Sequence, residues 1–245
     1  MSEDDGSSPL AVVTGASRRL GLTLAKALAE KGYAVGLHYN RAESEAEEAR
    51  TALMASGVPV VTLQADLTDP AQISAMMNRV ADSGYPLRVL VNSAAVMKRA
   101  DLRTISAAEW DQTLALNLRA PMLLAQLAVR LMGSEGGLIV NVSDSGAHRA
   151  WTGYPAYIVS KAALESLTRL QARAFAPQVR VNAIAPGLYL PSPEVSDAQW
   201  SRLIERLPLG RPASGADLSK ALEYLLDNEY VTGQTIVVDG GYQLV

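Results

Sequence analysis

A tyrosine and a lysine four residues apart could exchange a proton with a substrate. Tyr157 and Lys161 open a segment of helical apolar period, and residues four apart lie on one face of a helix. An ammonium beside a phenol favours the phenolate and lowers the pKa of the tyrosine. Proton exchange near neutral pH then becomes feasible. The same pair also occurs on ordinary helix faces, so it identifies a site only together with other residues.

A glycine-containing turn near the start of the chain could hold a phosphate. The stretch Thr14 to Gly21 follows a short apolar run and leads directly into a segment of helical period. Such a turn between strand and helix presents backbone N–H groups and the positive helix end to an anion. A plain connection between a strand and a helix is the alternative interpretation.

Three arginines indicate which dinucleotide this turn would bind. Arg18 and Arg19 lie within it, and Arg41 follows the next predicted strand. An enzyme that selects NAD carries an acidic residue near the end of that strand to bind the ribose, whereas the 2′-phosphate of NADP calls for arginine. The sequence therefore predicts NADPH as the cofactor, the alternative being that all three are solvated surface arginines.

The segments that must position these residues alternate between short β-branched runs and longer helical patterns. Runs this apolar must be covered on both faces, which is typical of a parallel sheet between helix layers. The sequence predicts an α/β fold with a doubly wound, Rossmann-like parallel sheet, forming one three-layer domain over residues 10–245. The predicted strands are Leu10–Thr14, Ala34–His38, Val60–Gln64, Val89–Val91, Leu138–Val142, Val179–Ile184 and Ile236–Val238.

Two segments depart from this alternation. Residues 1–9 are polar and acidic, with glycine and serine, and are expected to be a disordered N-terminus. Residues 187–212 carry four prolines and cannot form one uninterrupted helix. Because they follow a strand, and ligands of open α/β sheets bind beyond the carboxyl ends of strands, we expect a substrate lid here. Tyr189 and Trp200 are its candidate substrate contacts.

Composition excludes several classes of protein. The chain has no cysteine and only two histidines, so thiolate metal sites are impossible and no metal is expected. The formal net charge of −3 gives no reason to expect a nucleic acid or a membrane as partner. No signal peptide or membrane span is evident in the sequence. We therefore expect a cytoplasmic protein that acts on a small molecule.

Several motifs together resemble the short-chain dehydrogenase/reductase family over essentially the whole chain. They occur in the family's order and spacing, which a chance match does not explain. These motifs are the turn Thr14 to Gly21, Ala65-Asp66-Leu67, Asn92-Ser93-Ala94-Ala95, Asn117, Tyr157 with Lys161, Pro186-Gly187, and Val238-Asp239-Gly240-Gly241.

The resemblance implies roles for individual positions. Asn117, Tyr157 and Lys161 would be catalytic, with Asn117 holding a helix irregularity and a water that relays protons to Lys161. It also implies packed helices around Asn117 and Lys161 in a homotetramer or homodimer. The cofactor would contact Gly15, Ser17, Arg18, Arg19, Leu20, Tyr39, Asn40, Arg41, Asp66, Leu67, Asn92, Ala94, Tyr157, Lys161, Pro186, Gly187 and Leu188.

Two departures from the family pattern resemble its pteridine reductase branch, which includes bacterial dihydromonapterin reductases. Most members have a glycine where this chain has Arg19, and a serine thirteen residues before the tyrosine where it has Asp144. A carboxylate can only accept hydrogen bonds, which suits a nitrogen heterocycle better than a carbonyl oxygen. The alternative is a shift by one residue that puts Ser143 in the serine's place. The predicted substrate contacts are Ala95, Met97, Ser143, Tyr189 and Trp200.

The leading hypothesis is an NADPH-dependent reductase that transfers hydride to the C=N bond of a dihydropterin-like substrate. Tyr157, Lys161 and Asp144 would manage the proton. One alternative is a carbonyl reductase of the same fold, acting on a ketone or an acyl thioester. A second alternative is a catalytically idle regulator that binds NADPH.

Overall fold

Seven parallel strands form the centre of the molecule, of which the computed structural model describes residues 8–192 and 195–245. The strands are β1 (Leu10–Val13), β2 (Ala34–Tyr39), β3 (Val60–Gln64), β4 (Leu87–Asn92), β5 (Gly137–Val142), β6 (Val179–Pro186) and β7 (Thr235–Val238). Their order across the sheet is β3-β2-β1-β4-β5-β6-β7, and every neighbouring pair is parallel. The predicted Rossmann-like sheet is confirmed.

In the part of the chain that the structure describes, eight α-helices connect and cover the strands. They are α1 (Arg19–Glu30), α2 (Glu43–Met54), α3 (Pro70–Ala81), α4 (Ala107–Leu114), α5 (Ala120–Met132), α6 (Pro155–Phe175), α7 (Asp197–Glu205) and α8 (Gly215–Asp227). A π-helical stretch, Ala115–Arg119, joins α4 to α5. Side chains of Asp69, Ser106, Ser196 and Ser214 accept hydrogen bonds from the first turns of α3, α4, α7 and α8, which satisfies N–H groups that have no partner within the helix.

Two apolar layers lie on opposite faces of the sheet. On one face α1, α2 and α8 contribute Leu24, Leu53 and Leu222 to a cluster with strand residues. On the other face α3 and α5 contribute Ile73 and Leu124. All four residues of β1 and the first five of β2 are buried. Coverage of both faces explains why the strands read as continuous apolar runs.

The order of the strands places a crevice between β1 and β4. The chain builds the sheet outward in one direction through β2 and β3, and then returns to the other side of β1 with β4. The helices that follow the strands on the two sides cover opposite faces of the sheet, which leaves a crevice beyond the ends of β1 and β4. Ligands of open α/β sheets bind at such a switch point, beyond the carboxyl ends of the strands.

The stretch Ala107–Glu135 is long and apolar enough, by length and composition alone, to cross a membrane. Within it, α5 buries Ala120, Leu124, Ala128 and Met132, and these residues belong to the cluster beneath the sheet. The apolar character of α5 is therefore accounted for by its contact with the core.

The two irregular segments are only partly described. Residues 1–7 of the predicted disordered N-terminus, and Pro193 and Glu194 of the predicted lid, lie outside the described residues. The described part of residues 187–212 is irregular except for α7. The lid segment is therefore not one uninterrupted helix, as its prolines predict.

Replacement of Gly21 tests the turn between β1 and α1. A Cβ atom at this position would lie 2.1 Å from the carbonyl oxygen of Gly15, which is backbone and cannot move without deforming the turn. We expect Gly21→Ala to lower the free energy of unfolding by about 3 kcal/mol, a typical cost of overpacking. Thermal unfolding would measure it, with Lys26→Ala on the exposed side of α1 as the control. A Gly21→Ala protein as stable as the control would contradict the tight contact.

Candidate active site

Tyr157 and Asp144 form a short hydrogen bond at the carboxyl edge of the sheet. Tyr157 lies in the first turn of α6 and is 7% exposed, and its hydroxyl donates to Asp144 Oδ2 at 2.6 Å. The other carboxylate oxygen accepts from the backbone N–H of Gly146 at 2.7 Å. Asp144 is thus held on both oxygens against the phenol, in the loop that follows β5.

Ser143 points away from this pair. Its hydroxyl donates to Glu165 Oε1 at 2.8 Å, and the residue is 3% exposed. The other oxygen of Glu165 lies 2.8 Å from His148 Nε2. The geometry therefore does not support the alternative in which Ser143 takes the place of the family serine. Ser143 and His148 instead fasten both ends of the Asp144 loop to α6.

Lys161 lies fully inside the protein behind the tyrosine. Its Nζ donates to the carbonyl oxygen of Val142 at 2.6 Å and lies 5.7 Å from the centre of the Tyr157 ring. Burial disfavours the ammonium and lowers the pKa of Lys161 to about 8. The lysine is thus anchored to the end of β5 and is not hydrogen-bonded to the phenol.

The electrostatics of the tyrosine differ from the sequence-based expectation. The pKa of Tyr157 is raised well above its ordinary value, first by burial and then by the negative charge of Asp144. Burial also raises the pKa of Asp144, although its hydrogen bonds oppose this. The expected lowering of the tyrosine pKa by Lys161 is wrong for this conformation, because the ammonium is directed to the Val142 carbonyl. Tyr157 is therefore a protonated phenol that can donate.

Asn117 ties the loop after β4 to α6. It lies in the π-helical stretch, where its Oδ1 accepts from Val96 N–H at 2.9 Å. Its Nδ2 donates to the Val96 carbonyl at 2.9 Å and to Ser160 Oγ at 3.0 Å. The Ser160 hydroxyl donates in turn to the Tyr157 carbonyl at 2.6 Å. Asn117 thereby positions the backbone of the turn that carries the tyrosine.

His38 holds the glycine turn after β1. The N–H of Gly15, which has a positive φ of 65°, donates to His38 Nδ1 at 3.0 Å. The other ring nitrogen lies 3.1 Å from the Ala65 carbonyl, so the imidazole carries its proton on Nε2. Burial lowers the pKa of His38 to about 4. Sequence reasoning missed this residue, although one histidine in an otherwise apolar strand was a visible signal.

A buried polar chain joins the ends of β4 and β5. Asn92 Nδ2 donates to Asn141 Oδ1 at 2.8 Å, and Asn141 Nδ2 donates to Thr168 Oγ1 at 2.9 Å. Thr14 Oγ1 accepts from Ser93 and Ala94 N–H groups at 2.9 and 3.0 Å. These bonds fix the loop after β4 against the turn after β1, across the crevice.

The start of α1 fits the phosphates of a dinucleotide. The helix has no side-chain cap and no acidic residue in its first turn, so its N–H groups are free to bind an anion. Arg18 and Arg19 are exposed beside it, and Arg41 is exposed just beyond β2. A Cβ at Gly15 would lie 3.1 Å from Ala94 Cα, so glycine keeps the turn close to the loop after β4. These residues suit a phosphorylated dinucleotide such as NADPH.

Comparisons with known proteins agree with this architecture. A protein-family model described as enoyl-(acyl carrier protein) reductase matches residues 15–243. The chain belongs to the short-chain dehydrogenase/reductase family. Its class as an oxidoreductase, expected from the motifs, is confirmed by this membership.

Individual relatives of the family carry different names. The chain is 32% identical over 237 residues to the 3-oxoacyl-[acyl-carrier-protein] reductase FabG of Staphylococcus aureus, covering 94% of this chain and 96% of the relative. It is 33% identical to carbonyl reductase family member 4 of Danio rerio, covering 97% and 99%. A solved structure of FolM alternative dihydrofolate reductase 1 from Brucella canis, complexed with NADP, superposes with a TM-score of 0.92 at 32% identity, covering 98% of this chain and 95% of that one.

Arg19 takes the place of the family glycine with a backbone that suits glycine. It is the one non-glycine residue with positive φ, 51°, in the described part of the chain. Its guanidinium donates to the carbonyls of Leu190 and Pro191 at 2.9–3.1 Å. In this conformation Arg19 therefore joins the glycine turn to the segment after β6 that is predicted to be the lid.

The predicted substrate contacts are dispersed. Ala95 and Met97 are exposed beside the crevice, with Met97 43% exposed. The hydroxyl of Tyr189 lies 2.9 Å from Thr23 Oγ1 on α1, so it is fixed to that helix and not to the Asp144 pair. Trp200 is half-buried on α7.

The remaining predicted cofactor contacts lie at the ends of the strands. Asp66 accepts from the N–H and the hydroxyl of Thr68, which lowers its pKa. Pro186 accepts from Ser145 N–H at 2.9 Å, and Gly187 donates to the Val238 carbonyl at 3.0 Å. Tyr39 ends β2, and Leu20 lies in the first turn of α1. The turns after β1, β2, β3 and β6 contain Ser17, Asn40, Leu67 and Leu188.

Removal of Glu165 tests how the Asp144 loop is held. Glu165→Ala leaves the buried Ser143 hydroxyl without its close partner, and an unsatisfied buried group costs about 1–3 kcal/mol. We expect a lower unfolding temperature and a lower kcat, because Asp144 is no longer fixed against Tyr157. Glu165→Gln can accept from Ser143 and donate to His148, so it should restore both. Two variants with the same kcat as the wild type would show that the loop does not depend on Glu165.

Proposed function

We propose that the chain is an NADPH-dependent reductase that adds hydride to the C=N bond of a dihydropterin-like substrate. The observation that carries this proposal is the carboxylate of Asp144 hydrogen-bonded to the Tyr157 hydroxyl at 2.6 Å. In most family members a serine occupies that position, as the sequence resemblance implies. The chemistry of the site therefore depends on a group that accepts hydrogen bonds and carries negative charge.

An acceptor at this position favours one kind of substrate. A serine hydroxyl can donate to a carbonyl oxygen, whereas an ionised carboxylate only accepts. Beside a ketone or thioester oxygen it would repel the negative charge that develops during reduction. A pterin ring instead presents N–H and amino groups, and its ring nitrogen gains a proton. Asp144 can accept from such groups while it also accepts from the Tyr157 hydroxyl.

The residues around the glycine turn support NADPH as the cofactor. The N-terminus of α1 would bind the pyrophosphate, and Arg18 and Arg41 would bind the 2′-phosphate through charge-assisted bonds. When bound, the nicotinamide supplies the hydride. Solved structures similar to this chain were obtained with NADP or NADPH, which supports the same choice here.

The proton comes from Tyr157. Its raised pKa keeps the phenol protonated in the resting site. As hydride adds to the carbon of the C=N bond, the electron pair moves to the ring nitrogen, which becomes basic enough to take the proton of the phenol. Asp144 orients the hydroxyl through its hydrogen bond. The Lys161 ammonium lies 5.7 Å from the ring centre, and a positive charge there favours the phenolate that remains after transfer, although burial and Asp144 outweigh it in the resting site.

A carbonyl reductase is the second candidate function. The identity to FabG and to carbonyl reductase family member 4 favours it, while the similarity to FolM alternative dihydrofolate reductase favours pterin reduction. Asp144 supports pterin reduction as the first candidate, because its charge opposes a carbonyl oxygen. The idle-regulator alternative has no supporting feature, since Tyr157, Lys161 and Asn117 are all present. Assembly into a homotetramer and location in the cytoplasm stay predictions.

Exchange of Asp144 for serine tests the proposed substrate. Asp144→Ser should depress kcat/KM for dihydrobiopterin by about 10²-fold, the range of one positioned proton-transfer group. Reduction of a simple ketone should change little or improve, because serine can donate to its oxygen. Steady-state NADPH oxidation with both substrates measures the effect.

Tyr157→Phe is the control for this exchange. It removes the transferable proton and should abolish turnover of either substrate, while NADPH binding stays near the wild-type level. A wild-type enzyme that ignores dihydropterins and reduces ketones, with the serine variant behaving alike, would overturn the proposed function in favour of the carbonyl reductase.

The pH dependence of kcat/KM should be bell-shaped. Raising the pH through about 8 removes the Lys161 ammonium, so activity should fall on the alkaline side. Lowering the pH protonates Asp144, so activity should also fall on the acidic side. Because burial raises the pKa of Asp144, this fall should begin at a higher pH than for an ordinary carboxyl group. A profile of dihydropterin reduction for the wild type and for Asp144→Ser checks the assignment. An acidic limb that persists unchanged in the serine variant would belong to another group.

A further inference from the structure

A cavity of about 330 Å³ lies between α7 and the start of α6. Its lining includes Arg99, Tyr154, Gln199, Arg202, Leu203 and Arg206. Three of these six side chains are arginines, although the whole chain carries a net charge of −3. Positive charge is thus concentrated at this cavity against the overall charge of the protein.

The cavity adjoins the catalytic residues through α6 and the loop after β4. Tyr154 is the residue immediately before α6, three residues before Tyr157. Arg99 lies in the same loop as Ala95 and Met97, and Ala100 N–H in that loop donates to the Gly153 carbonyl at 2.9 Å. A substrate whose ring lies at Tyr157 can therefore extend its far end into this cavity.

One face of α7 supplies the other charges. Gln199, Arg202 and Arg206 are spaced three and four residues apart, so they project from a single side of the helix. All three are exposed. No ion pair joins Arg99, Arg202 or Arg206 to an acidic residue within 8–192 and 195–245. Guanidinium groups gathered in this way repel one another unless an anion lies between them.

We propose that this cavity binds the negatively charged end of the substrate, a carboxylate or a phosphate. Guanidinium groups donate to either oxyanion through paired N–H bonds, and Leu203 with the ring of Tyr154 can flank an uncharged spacer. This inference rests on the proposed function for the identity of the reduced ring. It adds that the preferred dihydropterin carries an acidic tail.

Two substrates with the same reducible ring but different tails distinguish binding of the tail from reduction of the ring. Dihydrofolate carries a glutamyl tail with two carboxylates, and dihydrobiopterin carries a short uncharged one. For Arg202→Gln and Arg206→Gln we expect KM for dihydrofolate to rise about tenfold, the effect of losing one charge-assisted hydrogen bond, with kcat nearly unchanged. KM for dihydrobiopterin should stay at the wild-type value.

Arg103→Gln is the matched control. Arg103 lies in the same loop as Arg99, but its side chain is 90% exposed and it is not part of the cavity lining. Its loss should leave both KM values unchanged. Added salt should raise KM for dihydrofolate more than for dihydrobiopterin, since screening weakens an exposed ion pair. Equal KM changes for the two pterins, or an effect as large in Arg103→Gln, would overturn the anion site.

A second substrate pair distinguishes failure of this site from failure of the proposed function. Acetoacetyl-CoA carries phosphates and ethyl acetoacetate carries no charge. If the enzyme ignores both pterins and the arginine variants raise KM only for acetoacetyl-CoA, the anion site stands and the pterin assignment falls. If the enzyme ignores both pterins and the arginine variants leave KM for acetoacetyl-CoA unchanged, both the anion site and the proposed function are overturned.

Direct binding covers the case in which none of the four compounds is reduced. Calorimetry with the enzyme–NADPH complex would use p-aminobenzoyl-glutamate and inorganic phosphate as probes. Weaker binding of either probe to Arg202→Gln and Arg206→Gln, with Arg103→Gln unchanged, supports the site. No binding to the wild type, or equal binding to all variants, overturns it.

Discussion

Coverage of both faces of the parallel sheet is the constraint on which the other features depend. Because helices pack on either side of the strands, polar groups that must reach a ligand can emerge only at the strand ends. All seven strands run in the same direction, so their carboxyl ends share one edge. Turns after β1, β4 and β5 meet there. Long-range hydrogen bonds accepted by the side chains of Thr14 and Asn117 and donated by Asn92 hold them in place.

Burial gives the titratable groups of the candidate active site their protonation states at a cost in stability. Asp144, Tyr157 and Lys161 all have pKa values moved toward their neutral forms by loss of solvent. Hydrogen bonds to Gly146 N–H and to the Val142 carbonyl compensate in part. The site is thus poised with a protonated phenol beside an acceptor, which differs from the tyrosinate expected when only the Tyr–Lys spacing is considered.

The strands and the glycine turn could be predicted because they follow from local apolar periodicity and backbone requirements. Asp144 could be predicted from its spacing to Tyr157, since both lie near the same strand end. The choice against Ser143 could not, because it depends on Glu165, which lies 22 residues further along the chain. The contact of Tyr189 with Thr23, separated by 166 residues, and the gathering of three arginines around one cavity arise only after folding. Tertiary contacts of this kind leave no local pattern.

The imidazole that supports the glycine turn also makes the protein sensitive to mild acid. The N–H of Gly15 donates to His38 Nδ1. A proton on Nδ1 would therefore point at the N–H of Gly15, and the hydrogen bond would be lost. The folded pKa of about 4 lies below the ordinary value of 6.5; as the pH falls from 6.5 toward 4, the unfolded chain takes up a proton that the folded one excludes. The free energy of unfolding then declines by up to about 3 kcal/mol. The residue that shapes the glycine turn thus also sets an acid limit on the fold.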